Sequence, residues 1–309
     1  MTMRAQSAME YLTTYGWALV VIVVVVISLI SLNVFNVNGI GPKAQPGACQ
    51  VQRPYGSGTV QFINLIGTCN GELPQFAAYF NGNTAVGNVP ASSTLTTPFS
   101  SNAITLSGWF KVYKMPASGF APVLYFGSTG ASYCSPADLQ INPPSTIYAQ
   151  VQQIAGSNSV SVYNSVLTNT WYNAALTFTS NGAISLYLNG QLANTVSTTA
   201  YLDTPGQVYN LDFGSNLGTA SSGSSACGGG PYYFNGTMAN VQLYNTALSA
   251  NDITALYQEG IGGAPIDLQH IQGWWQLNQN INDYSGNLEN GTTANVVWLA
   301  NWQSGYTTP

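Results

Sequence analysis

Charge is what this sequence has least of. Only 5% of its 309 residues are charged, against about a quarter in ordinary soluble proteins. Five Lys and Arg face ten Asp and Glu. So few cations exclude nucleic acid as a partner, because neutralising phosphates needs clustered Lys and Arg. Disorder is excluded by the opposite shortage: 45% of residues are hydrophobic, whereas unfolded segments combine high charge with low hydrophobicity. Polarity rests instead on Asn, Ser, Thr, Gln, Gly and Tyr. Such a nearly neutral surface suits acidic surroundings, where few carboxylates need protonating.

Metal and catalytic chemistry are equally short of material. No CxxC pair occurs, and His270, the single histidine, is far in sequence from every Cys, so no metal is expected. A retaining glycosidase needs paired carboxylates flanking the scissile bond. Here the acids stand singly, at Glu72, Asp138, Asp203, Asp212, Asp252, Glu259, Asp267, Asp283 and Glu289. Ser-His-Asp catalysis would rest on His270 alone, within the connector-like PIDLQHIQG. Asp283 in NDYSGN reads as a turn-former, with calcium ligation as the alternative, although calcium wants six to eight oxygens. The expectation is therefore no catalytic residue, no enzyme and no cofactor, calcium being the one exception considered.

What is present begins with a long apolar run. From Tyr11 to Phe35 there is no charge, and Trp17 to Leu32 is apolar except for Ser28. That length spans a bilayer core and predicts a transmembrane helix in membrane lipid. Arg4 lies on one flank and no cation follows until Lys43, which places the amino terminus in the cytoplasm and the bulk of the chain outside. Within this frame Glu10 is costly at the membrane edge, and such residues usually mark function. NVNGIGPKAQPGAC reads as a linker. Beyond it, short alternating runs such as TVQFINLI, ITLSGWFKVYKM, TIYAQVQQIA, WYNAALTFTS and QVYNLDFGS argue an antiparallel sandwich. SNGAISLYLNGQLANTV reads as a double hairpin, since SNG and LNGQ tolerate positive φ. ALSANDITALYQEG predicts the one helix that stands out, capped by Ser249 with Asp252 and ended by Gly260.

Two resemblances follow from these motifs. RAQSAMEYL before an apolar helix resembles the class III signal peptides of archaeal type IV pilin-like proteins. That resemblance implies cleavage between Ala5 and Gln6 by a prepilin-type peptidase, with the helix retained in the product. Glu10 would then be the fifth mature residue, where pilins characteristically carry Glu. The new ammonium of Gln6 could pair with Glu10 and set register between pilin-like subunits of a homo-oligomeric filament, the best-attested use of a buried charge. An ordinary uncleaved anchor is the alternative. In the outer part, ITLSGWFKV, NTWYNAALTF, ISLYLNGQL and YYFNGTMANVQLYNTALSANDITALYQEG are similar, in order, to the strand motifs of LamG-like, concanavalin A-like jelly-roll domains. YFNGNTAVGNVP is similar to that family's early strand without its usual aspartates. The family's opening Trp-x-Leu and Ser-Gly-Asn segment is found at the far end instead, as GWWQLNQNINDYSGNLENGTTANVVW. The tail could complete the sandwich by permutation or be a truncated repeat; too short to bury a core alone, it is read as permuted.

The fold class expected is thus all-β, an antiparallel jelly roll preceded by one long transmembrane helix. Its parts are a leader (1–5), a pilin-like helix (6–36), a linker (37–48) and the sandwich (49–309), with 273–298 supplying a terminal strand segment. Four cysteines outside the cell allow three pairings. Cys49 and Cys69 bracket one hairpin, while Cys134 and Cys227 lie in Ser/Gly-rich loops, which favours 49–69 with 134–227. Asn235 and Asn290 head Asn-Gly-Thr sequons that are candidate glycosylation sites, although both also occupy turn motifs. Seven Trp and nineteen Tyr supply rings able to stack on sugars, but Trp109, Trp171 and Trp275 fall on strand patterns and read as core, so no ligand contact can be named. The resemblances imply a cell-surface, membrane-anchored or filamentous protein whose head adheres to an extracellular glycan or cell-surface protein. The alternatives are a purely structural coat subunit and an exported carbohydrate-active enzyme on the same fold.

Overall fold

The computed structural model describes residues 15–28, 43–128, 135–152, 159–199, 202, 208–216 and 231–309. The chain divides into two compact units, Met1–Pro42 and Lys43–Pro309. The second therefore starts inside the stretch 37–48 expected as a linker. In the first unit, helix α1 runs over 15–28. Among the described residues no helix is long and apolar enough to cross a membrane. The remainder of the expected span, together with Ala5, Gln6 and Glu10, lies outside the described residues.

The second unit is a sandwich. Its described strands are β1 (Lys43–Ala44), β2 (Cys49–Gln52), β3 (Asn64–Gly67), β4 (Leu73–Pro74), β5 (Ala77–Asn81), β6 (Val86–Ser92), β7 (Ala103–Val112), β8 (Ala121–Ser128), β9 (Ala137–Asn142) and β10 (Thr146–Gln152). They continue with β11 (Ser159–Ser165), β12 (Trp171–Thr179), β13 (Ala183–Leu188), β14 (Gln191–Ser197), β15 (Tyr209–Phe213), β16 (Asn235–Tyr244), β17 (Ile271–Trp275), β18 (Thr292–Ala294) and β19 (Val297–Leu299). One sheet has the order β11-β10-β9-β8-β15-β6-β18; the other is β14-β13-β12-β7-β16-β5-β19, with β17 also pairing β16. Every pairing within these two sheets is antiparallel. Alternation along each strand sends one set of side chains inward. Leu106, Phe110, Leu124, Phe126, Leu139, Leu176, Phe178, Leu211, Phe213 and Met238 thus meet in a single core between the sheets.

The carboxy-terminal segment contributes to both sheets. Val241 pairs with Trp275, Thr292 with Asn88, and Val297 with Tyr79, while Trp275, Leu277 and Ile281 join the main core. The far tail is clamped by a buried cation. Lys111 Nζ donates to the carbonyls of Trp302 (3.2 Å) and Ser304 (2.7 Å) and lies 5.2 Å from the ring centres of Tyr113 and Trp171.

Local chemistry explains the turns. Asn189 and Gly190 both have positive φ (51° and 74°) between β13 and β14, the pair that a two-residue hairpin demands. The helix α2 (Ser93–Ser100) has no sequence pattern that announces it. STLTTPFS is rich in Thr and holds a Pro, both poor helix formers. Ser92 caps it and the buried Leu95, Pro98 and Phe99 fix it to the core. Helix α3 (Ala250–Gln258), by contrast, follows a complete capping box between Ser249 and Asp252, and Gly260, at φ 80°, lies just past its end. The expected strand TVQFINLI is shortened. Only Asn64–Gly67 pairs, against Cys49–Gln52, and Phe62 turns out with φ 55°.

Candidate functional site

The seven-stranded sheet has a polar outer face, and its residues come from strands whose inner face is apolar. In β9, Asp138 and Gln140 flank the core residue Leu139; in β15, Asn210 and Asp212 flank Leu211; in β8, Tyr125 stands between Leu124 and Phe126. Register brings them together. Ser161 pairs with Gln150, Gln150 with Asp138, Asp138 with Tyr125, Tyr125 with Asp212, Asp212 with Asn88, and Asn88 with Thr292. One row of side chains thus crosses the whole sheet. A parallel row runs from Gln140 through Tyr148 to Tyr163.

The two ends of this face differ. At the β10–β11 edge Tyr148 and Tyr163 stack, ring centres 5.1 Å apart and planes 25° from parallel; Tyr163 is 54% exposed. Gln150 and Ser161 beside them are half-buried. Toward β8 and β15 the face is covered. Phe120 stacks on Tyr125 and touches Tyr232, and the Ser135 N–H donates to the Tyr125 hydroxyl at 3.1 Å. Asp212 Oδ1 accepts from Asn88 Nδ2 at 2.6 Å and from Asn210 Nδ2 at 2.9 Å. Three buried oxygens of this face, Asp138 Oδ1, Asn142 Oδ1 and Asn210 Oδ1, have no hydrogen-bond partner among the described residues. Buried polar groups rarely go unpaired, because each costs roughly 1–3 kcal/mol. Burial pushes the Asp138 carboxyl up to about 8, with a hydrogen bond from Ser135 pulling the other way. Burial also raises the Tyr125 phenol, helped by the nearby Asp138 charge and opposed by the Ser135 N–H.

The acids that stand singly in the sequence are therefore not all isolated in space. Asp138 and Asp212 share one row, two strands apart, about 10 Å between backbones. The signal was there: polar residues at alternate positions within otherwise apolar strands, in ADLQIN and YNLDF. It needs the strand order to become a site.

The other candidate residues have structural employment. Cys49 and Cys69 form a disulfide that closes the β2–β3 hairpin; Cys134 and Cys227 lie outside the described residues. Asp283 organises its turn. Its carboxylate accepts from the Trp274, Ser285 and Glu289 amides and the Ser285 hydroxyl, at 2.8–3.0 Å. Four hydrogen donors surround it, the opposite of a calcium cage, so these residues do not fit the ion. Arg53 donates to the carbonyls of Ser285, Thr59, Leu268 and Ile271. His270 makes an exposed pair with Asp267 at 2.7 Å. Among the described residues no group of three or more His, Cys, Asp or Glu gathers to hold a metal. Asn235 donates to the Asn81 carbonyl and its sequon partner Thr237 is buried, whereas Asn290 is exposed. Trp109, Trp171 and Trp275 are all buried.

A sandwich of this order, with strand motifs in this sequence, has a matching family. The family described as the concanavalin A-like lectin/glucanases superfamily matches residues 67–254. The chain belongs to that superfamily. No curated protein matches it. Among solved structures, this concanavalin A-like chain is similar to a candidate carbohydrate-binding protein from Bacteroides ovatus, with 17% identity, TM-score 0.50, and coverage of 77% of this chain and 66% of that one. It also resembles the native heptameric SAP-like pentraxin of Limulus polyphemus, with 12% identity, TM-score 0.48, and coverage of 72% and 94%. A third is the Ruminococcus gnavus IT-sialidase CBM40 bound to α2,3-sialyllactose, with 19% identity, TM-score 0.40, and coverage of 50% and 83%. At these identities the likeness is one of fold.

Proposed function

We propose that this is a surface-displayed glycan-binding protein, with Lys43–Pro309 as the head and the amino-terminal segment as a pilin-like anchor and filament core. The outer face of the seven-stranded sheet carries the reading. At its open end the Tyr148–Tyr163 stack stands beside the half-buried Gln150 and Ser161. Aromatic faces suit the apolar faces of sugar rings, and a few placed amides and hydroxyls suit their hydroxyls. Membership in a lectin/glucanase superfamily and the Bacteroides ovatus neighbour support the same direction.

The reading includes processing between Ala5 and Gln6, retention of the apolar helix in the membrane or a filament, and a register role for Glu10. It rests on QSAMEYL and the apolar run after it. It includes no catalysis. Asp138 is only 2% exposed and Asp212 is already bonded to two amides, so this pair of carboxyls is not open to a scissile bond.

A glycan array probed with the full chain tests the head. Binding is expected, and replacing Tyr148 and Tyr163 together by Ala should weaken it about tenfold, roughly 1.4 kcal/mol. Binding unchanged by that double substitution would remove the site from this face, and no binding at all would favour a coat subunit. A mature chain starting at Met1 would refute the processing.

A further inference from the structure

The face described above has a charge property that selects among glycans. From residue 115 to residue 269 the chain contains no Lys, Arg or His. That stretch holds β8, β9, β10, β11 and β15 and every loop joining them. The two remaining strands of the sheet, β6 (VGNVPAS) and β18 (TTA), hold none either. The described cations of the head lie elsewhere. Lys43 is in β1, Arg53 is bonded to four carbonyls, and Lys111, bonded to the tail, is the penultimate residue of β7, with Lys114 just beyond the strand. The acids of this face among the described residues, Asp138 and Asp212, are both buried, so its described strands offer no positive charge.

An anionic sugar would thus find no counter-ion on this face. We infer that the head selects uncharged glycans, neutral hexoses and N-acetylhexosamines, and discriminates against sialylated, uronate-bearing and sulfated ones. This inference rests on the glycan-binding reading and sharpens it, naming the ligand class of that same face.

The test is a glycan array of matched neutral, sialylated and sulfated sets, probed with the full chain in a non-glycosidic detergent and in EDTA. Neutral members should bind, and their acidic counterparts should bind at least about tenfold more weakly. Adding a cation at the open end, Gln150→Lys or separately Ser161→Lys, should narrow that gap, more so at low salt. Both positions are half-buried at the surface, so either variant serves if the other fails to fold. Acidic glycans binding as well as neutral ones, with or without added calcium, would overturn the inference and leave glycan binding standing. Absence of binding to every glycan would overturn the glycan-binding reading itself, and the inference with it.

Discussion

Replacing Asp138 by Asn should flatten part of the dependence of stability on pH. The Asp138 carboxyl is buried in β9 and holds its proton up to about pH 8, whereas in the unfolded chain it releases it near pH 4. Between those values the unfolded state binds one proton fewer than the folded state, so stability falls as pH rises through this window and levels off above it. One proton corresponds to about 1.4 kcal/mol per pH unit. From pH 5 to pH 7 the wild-type head should therefore lose about 3 kcal/mol, or roughly 6–12 °C in Tm for a domain of this size. Asn has nearly the shape of the protonated acid and cannot ionise. The variant should lose less stability over the same interval, and the two unfolding curves should diverge as pH rises. Asp283, also raised by burial, contributes a slope of the same sign, so the variant keeps a remainder. The assay is thermal unfolding of both proteins at pH 5, 6 and 7. Identical slopes would refute the argument that Asp138 is buried as the neutral acid.

Two further substitutions test other buried polar groups. Asp283→Ala leaves three backbone amides and one hydroxyl without their acceptor and should cost about 3–5 kcal/mol, read as a lower denaturant midpoint; a loss under about 1 kcal/mol would show that the turn holds without it. Lys111→Met keeps most of the aliphatic packing but removes the donor to Trp302 and Ser304; it should cost about 2–3 kcal/mol and expose residues 300–309 to carboxypeptidase, and an equally resistant tail would refute the clamp.

Features governed by neighbours in sequence are legible from the order of residues alone. The capping box of Ser249 and Asp252, the Asn189–Gly190 turn and the alternation of WYNAALTFT each depend on a few adjacent residues. The low charge and the amino-terminal QSAMEYL are likewise properties of the chain itself. Other features depend on residues distant in sequence. Helix α2 forms against its propensities because Leu95, Pro98 and Phe99 find a core to enter. Asp138 and Asp212, far apart along the chain, become neighbours in one row only because β8 lies between β9 and β15. Their burial, and with it the raised titration of Asp138, comes from elements packed over that face. Periodicity sets which side of a strand a residue occupies; the order of strands sets what it stands beside, and that order depends on how the two sheets share one core.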